Sequence, residues 1–181
     1  MRVTGGIYRG RALRSAPGLA ARPTTDKVRQ SIFNILMNDI ESKTVLDLFA
    51  GSGALGIEAL SRGAVTAVFV EIAHKQKQSI IANLNSLALR MEILEMDYLK
   101  ACRFLSDSNR RFDLIFADPP YDKILPQAVI DAVLEYNLLA PEGFLIIEHK
   151  SGIDITHDRM TVLKSRKFGQ TEVTFYAVKK D

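Results

Sequence analysis

With 181 residues, 47% of them apolar and 25% charged, the chain has the makings of one soluble domain with a sizeable core and is short for two. No apolar run approaches a membrane span, and the basic N-terminus is not followed by an apolar stretch, so neither a membrane protein nor a secreted one is expected, and the expected location is the cytoplasm. The single cysteine, Cys102, excludes an internal disulfide, and His74, His149 and His157 lack metal-ligand spacing, so no metal site is expected.

The net charge of +3 is unevenly spread. Between Met1 and Gln30 stand Arg2, Arg9, Arg11, Arg14, Arg22, Lys27 and Arg29, against Asp26 as the only acid. Arginine forks onto phosphates and stacks on bases, so this segment reads as a polyanion-binding arm. Met1–Ser15 holds two short strand-like runs around glycines and predicts a β-hairpin that projects its arginines. Pro17–Pro23 reads as a linker, which divides the chain into a basic arm over residues 1–23 and a second unit over 24–181. A helix is expected to open at Thr24-Thr25, with Val28, Ile32, Ile35, Leu36 and Ile40 as its core stripe. Arg29 lies partly off that stripe and is read as solvated or reaching toward a ligand.

The stretch Val45–Ala64 organises the rest. An apolar run containing Asp47 leads into the turn Ala50-Gly51-Ser52-Gly53 and then a helix carrying Leu55, Ile57 and Leu60. Gly51, Gly53 and Gly56 spell G-x-G-x-x-G, and the acid Glu71 follows at the end of the next strand, Val65–Ile72. Further along, the sequence predicts a helix over Ala73–Leu89, a strand over Met91–Met96 closed by Asp97, and a helix over Tyr98–Leu105. A strand over Phe112–Ala117 then runs into Asp118-Pro119-Pro120-Tyr121. A helix over Leu125–Leu139, a strand over Gly143–Glu148 and an antiparallel pair, Met160–Lys167 with Glu172–Lys179, complete a doubly wound α/β sheet.

Four strands thus end in polar groups at one sheet edge, where such folds bind ligands. Two nucleotide-like cofactors suit a ribose-binding acid at Glu71. A nicotinamide dinucleotide needs room for a pyrophosphate, which the charge of Asp47 opposes. S-adenosylmethionine instead carries an α-ammonium, which Asp47 attracts. Asp118-Pro119-Pro120-Tyr121 suits an amine acceptor for the methyl. Its prolines stiffen the turn, its carboxylate and carbonyls accept from an amino group, and Tyr121 offers a ring to stack on a base.

VLDLFAGSGALGIEAL and DPPY together resemble the class I amino-methyltransferases, a very large group that includes DNA adenine and protein-glutamine enzymes. The N-terminal GGIYRGRAL and RPTTDKVRQSIFNIL, taken with them, resemble the RsmD-type bacterial 16S rRNA methyltransferases over essentially the whole chain. The resemblance implies a seven-stranded Rossmann-like domain with an N-terminal β-hairpin, and methylation of N2 of guanine 966 in a partly assembled small ribosomal subunit; a monomer is the default expectation. It assigns S-adenosylmethionine to Asp47, Gly51, Gly53, Glu71 and Asp97, with Phe49, Ala50, Ser52, Ile72 and Tyr98 beside them. It assigns the guanine to Asp118, Pro119, Pro120 and Tyr121. Arg9, Arg11, Arg14, Arg22, Thr24 and Arg29 form the candidate RNA-contacting set. Nothing in composition or spacing separates guanine N2 from adenine N6, and a DNA-adenine or protein-glutamine enzyme, or a non-catalytic RNA-binding assembly factor, stands as the alternative.

Overall fold

Apolar runs a few residues long become the parallel centre of one sheet. In the computed structural model, which describes residues 1–16, 25–37 and 39–179, these are β1 (Thr44–Asp47), β2 (Thr66–Val70), β3 (Glu92–Leu94), β4 (Phe112–Ala117) and β5 (Leu139–Lys150). β6 (Met160–Phe168) and β7 (Thr171–Val178) follow, and the seven strands are ordered β3-β2-β1-β4-β5-β7-β6, with β7 antiparallel to both its neighbours. The chain runs outward from β1 to β3, then returns to place β4 on the other side of β1. That reversal is the topological switch point, and the crevice above it is where open α/β sheets bind ligands.

Helices α1 (Asp26–Leu36), α2 (Ala54–Ser61) and α3 (His74–Ser86) cover one face through Ile32, Phe33, Ile57 and Ile80. Helices α4 (Tyr98–Asp107) and α5 (Pro126–Glu135) cover the other through Ala101, Leu105, Val129 and Val133. The central strands are buried on both faces, as their nearly continuous apolar runs require. The expected doubly wound fold with an antiparallel C-terminal pair is the one observed. No helix among the described residues is long and apolar enough to cross a membrane.

Three details differ from expectation. The N-terminal hairpin forms, with Arg2 bridged antiparallel to Ala12, Val3 N–H donating to the Arg11 carbonyl and Leu13 N–H to the Met1 carbonyl (3.0 Å each), but it does not project. Other donors tie it to the helices: Ile7 N–H to the Ser61 carbonyl (2.7 Å), Tyr8 N–H to Ser61 Oγ (2.9 Å) and Arg14 N–H to Asn83 Oδ1 (2.8 Å). With Val3 and Leu13 in the core, the arm lies against α2 and α3 rather than projecting. Secondly, α5 stops at Glu135, because Asn137 turns left-handed (φ 51°) and delivers Leu139 to β5, opposite Phe112. Thirdly, the buried stripe of α1 is Val28, Arg29, Ile32, Phe33 and Leu36; Thr25 caps it by accepting from Val28 N–H at 3.3 Å. The expected linker, Pro17–Pro23, lies outside the described residues.

Candidate active site

The turn after β1 is shaped by two glycines and closed by an acid from the next strand. Gly51 and Gly53 take φ of 54° and 79°, a region closed to most side chains, and Gly53 caps α2. Gly56 serves packing instead: a Cβ there would lie 2.4 Å from Phe69 Cε1. Glu71 bridges the turn to its own strand end, Oε2 accepting from Gly51 N–H (2.8 Å) and Oε1 from Ala73 N–H (2.7 Å). Each oxygen keeps a lone pair for a further donor. Above Gly51 the space is open, with nothing within 4 Å of where a Cβ would stand.

Asp47 is 1% exposed, at the end of β1. Its Oδ2 accepts from Gly56 N–H at 3.1 Å, while Oδ1 is buried without a hydrogen bond of good geometry among the described residues. Burial raises its pKa to about 7, with the charge of Glu71 adding and the nearby Gly56 and Phe49 amides opposing. Asp97 caps α4 through Leu99 N–H (2.9 Å); Tyr98 behind it packs on Phe49, ring centroids 5.1 Å apart. Ile72, beside Glu71, is 67% exposed and offers a bare apolar surface. Ala50 and Ser52 are buried in the turn itself. A cation near Asp47, a diol at Glu71 and a flat ring over Ile72 are the groups this arrangement suits, so the residues present fit S-adenosylmethionine.

The burial of Asp47 gives a pH signature. A pKa raised from 3.8 to about 7 means the folded protein holds the proton more tightly, so this group's contribution to stability falls as pH rises from about 4 to 7. A cation bound beside it reverses the preference and expels the proton. Calorimetry of S-adenosylmethionine binding at pH 6 in two buffers of different ionisation enthalpy should show net proton release, and Asp47→Asn should abolish it. Equal heats in the two buffers for the wild type would contradict this.

β4 brings the second half. Asp47 and Phe116 are register partners, so Asp118 stands two residues further along the strand that adjoins β1. Asp118 is half-buried and already engaged within the fold, Pro119 is buried, and Pro120 and Tyr121 are exposed. The Pro120 carbonyl is consumed by Lys123 and Ile124 N–H (2.9 and 3.1 Å); among the described residues no hydrogen bond takes the Pro119 carbonyl. Tyr121 donates from its hydroxyl to Glu148 Oε1 (3.3 Å) and lies 3.4 Å from Thr171 Oγ1, and burial pushes its pKa upward. The residue as a whole is 39% exposed.

The family model described as Conserved hypothetical protein 95 matches residues 1–177. The chain belongs to this family. Among its relatives are proteins named Ribosomal RNA small subunit methyltransferase D. One, from Haemophilus influenzae, is 34% identical over 179 residues and aligns across 97% of this chain and 93% of its own. The one from Escherichia coli K12 is 34% identical, with 97% and 89% covered. Among solved structures, Escherichia coli yhhF superposes with a TM-score of 0.86 at 32% identity, covering 100% of this chain and 99% of that one. A hypothetical protein of Thermus thermophilus reaches 0.86 at 27% identity, covering 98% and 99%.

Of the candidate RNA-contacting residues, Arg9, Arg11 and Arg14 are exposed, with Arg11 Nη2 also donating to the Ser86 carbonyl at 2.7 Å. Arg22 and Thr24 lie outside the described residues. Arg29 corrects its expectation. It is 0% exposed, donating to Glu58 Oε2 (3.2 Å), to Asp26 Oδ1 (2.9 Å) and to the Arg2 carbonyl, so in this fold it cannot meet a phosphate. Cys102 is fully buried and burial pushes its thiol up to about 12, which makes it a packed, inert cysteine. Glu148 was missed. It directly follows the apolar run Phe144–Ile147, the signal that also marks Asp118 after Phe112–Ala117, although β5 itself continues to Lys150.

Proposed function

We propose that the chain transfers a methyl group from S-adenosylmethionine to N2 of a guanine in small-subunit rRNA, by the resemblance guanine 966. The observation that carries this reading is the register at the switch point: the glycine turn with Asp47 and Glu71 adjoins the strand that ends in Asp118-Pro119-Pro120-Tyr121. The relatives named as rRNA small-subunit methyltransferases supply the substrate class. Arg9, Arg11 and Arg14 supply exposed cations for an RNA backbone. We include in the proposal a cytoplasmic monomer acting on a partly assembled subunit, with residues 1–23 as the RNA-contacting arm and 24–181 as the catalytic unit.

The cofactor, when bound, supplies a methyl group on a positively charged sulfur. The rest falls to the chain. Asp47 balances the ammonium, Glu71 accepts from the ribose hydroxyls, and Ile72, Asp97 and Tyr98 frame the adenine. Phe49, Ala50 and Ser52 shape the turn around Gly51 and Gly53. Tyr121 stacks on the target base, while the Asp118 carboxylate and the Pro119 carbonyl accept from its amino group. Held so, the nitrogen lone pair faces the methyl, and the positive charge it gains is stabilised by Asp118. Once the N–C bond has formed and the sulfur has left as a neutral thioether, the amine proton passes to water.

Labelled S-adenosylmethionine incubated with small subunits, naked rRNA and DNA, followed by identification of the methylated nucleoside, tests this directly. N2-methylguanosine from small-subunit rRNA is expected; N6-methyladenine from DNA would reverse the assignment. Glu71→Ala should weaken S-adenosylmethionine binding by on the order of 1.5–3 kcal/mol, because a charged acceptor is lost and the Gly51 turn loosens. Unchanged calorimetric affinity would remove Glu71 from the site.

A further inference from the structure

A second acid stands beside Asp118, and it faces a cavity. β4 and β5 run in parallel with Ala117 aligned to Ile147, so Asp118 and Glu148 are the next residues of adjacent strands. Glu148 is 7% exposed and lines a cavity of about 320 Å³ together with Thr25, Lys27, Lys167, Phe168 and Thr171. That volume lies at the small end of ligand pockets and suits a single base. The Tyr121 hydroxyl lies 3.3 and 3.4 Å from Glu148 Oε1 and Thr171 Oγ1, so the cavity they line adjoins the Asp118-Pro119-Pro120-Tyr121 turn. Among the described residues its lining holds one buried carboxylate, with the exposed Lys27 and Lys167 at its rim.

Resting on the methyltransferase reading above, we infer that Glu148 selects guanine, accepting from N1–H while Lys167 donates to O6. An ionised carboxylate only accepts hydrogen bonds. Next to its exocyclic amine guanine presents a second donor, N1–H, and beyond it the acceptor O6. Adenine and cytosine present a ring-nitrogen acceptor next to theirs. A carboxylate adjoining the one that holds the amine therefore finds a donor in guanine and a repelling lone pair in the other two. A buried acceptor left facing a lone pair is the kind of mismatch that gives large discrimination. Asp118 holds the amine, Tyr121 the ring, and Glu148 reads which base it is.

2-Aminopurine separates these roles, since it keeps the 2-amino group, has a lone pair at N1 and lacks O6. Small subunits are assembled with 16S rRNA carrying guanosine or 2-aminopurine riboside at the position that labelling has mapped, and single-turnover methylation is followed at saturating S-adenosylmethionine. Wild type should methylate guanosine on the order of 100-fold faster than the analogue, the scale of one good paired interaction. Glu148→Gln, whose amide can donate to the analogue's N1, should shrink that ratio to below about tenfold with cofactor affinity retained. Lys167→Met should lower the guanosine rate more than the analogue rate; being exposed, it decides the matter should Glu148→Gln fail to fold. Wild-type ratios in the variants would overturn the role of Glu148 and Lys167 while leaving the methyltransferase reading intact. A wild type that methylates no guanosine would overturn both.

Discussion

Asp118→Ala should slow single-turnover methylation of small subunits by on the order of 10²–10³, the cost of removing one preorganised electrostatic partner at a reacting centre. The effect belongs to the chemical step. Asp118 lies at the end of β4, beyond the residues that frame the cofactor, so S-adenosylmethionine affinity should stay close to wild type. Asp118→Asn keeps the shape and one acceptor oxygen but removes the charge. A charge-assisted hydrogen bond is about twice as strong as a neutral one, so a loss of roughly tenfold is expected. The order wild type, then Asn, then Ala is the signature of an acceptor that stabilises developing charge. Equal, complete loss in both variants would instead indicate that the carboxylate removes a proton before attack.

Tyr121 provides the internal control. Its hydroxyl contacts to Glu148 and Thr171 are long, at 3.3 and 3.4 Å, so Tyr121→Phe costs little positioning. Tyr121→Ala removes the stacking surface and should cost far more. Were wild-type rates to survive Asp118→Ala, the motif would have no part in the chemistry, and an RNA-binding role without catalysis would become the better reading.

What was legible in the sequence was what is local. The strand, turn and helix over Val45–Ala64 lie within one short segment, and the acids at strand ends announce themselves by following apolar runs. β4 begins and ends where the periodicity put it, at Phe112 and Ala117. The failures involve distant partners. The arm pairs as the hairpin its alternation predicts but does not project, because other donors in it bond to Ser61 and Asn83, each more than fifty residues away. Glu148 was passed over because the cavity it lines is assembled from α1, β5 and the β6–β7 turn, which no single stretch displays. Arg29 was misplaced for a different reason. The expected stripe ran through Ile35 and left out Phe33, whereas Ile32 and Phe33, three and four residues after Arg29, define the face that is buried and carry Arg29 with them.

The charge of Arg29 is resolved by Glu58, and the pair leads to the second large effect. Glu58 is 0% exposed on α2 and accepts from Arg29 Nε (3.2 Å), Arg62 Nε (2.9 Å), Thr4 N–H (2.8 Å) and Thr4 Oγ1 (2.7 Å). One carboxylate therefore ties α1, α2 and the N-terminal arm together, and Arg29 adds the Arg2 carbonyl to the same knot. Arg29→Ala removes a buried cation and opens a cavity. Breaking a buried pair from one side costs about 3–5 kcal/mol, and Arg62, still paired with Glu58, places the expectation near the lower figure. For a chain of this length that is a fall of roughly 6–12 °C in melting temperature. The salt dependence of RNA binding should not change, because a side chain with no exposed surface releases no counterion from a phosphate. Arg9, Arg11 and Arg14 should show the reverse. Replacing all three by alanine should leave the melting temperature within a few degrees of wild type and lower the log–log salt slope by roughly 0.7–0.9 for each phosphate no longer neutralised. Melting curves and salt titrations on the two variants separate the roles: a lowered slope for Arg29→Ala at unchanged stability would return Arg29 to the RNA surface, and an unchanged slope for the triple variant would leave the arm as a solvated face.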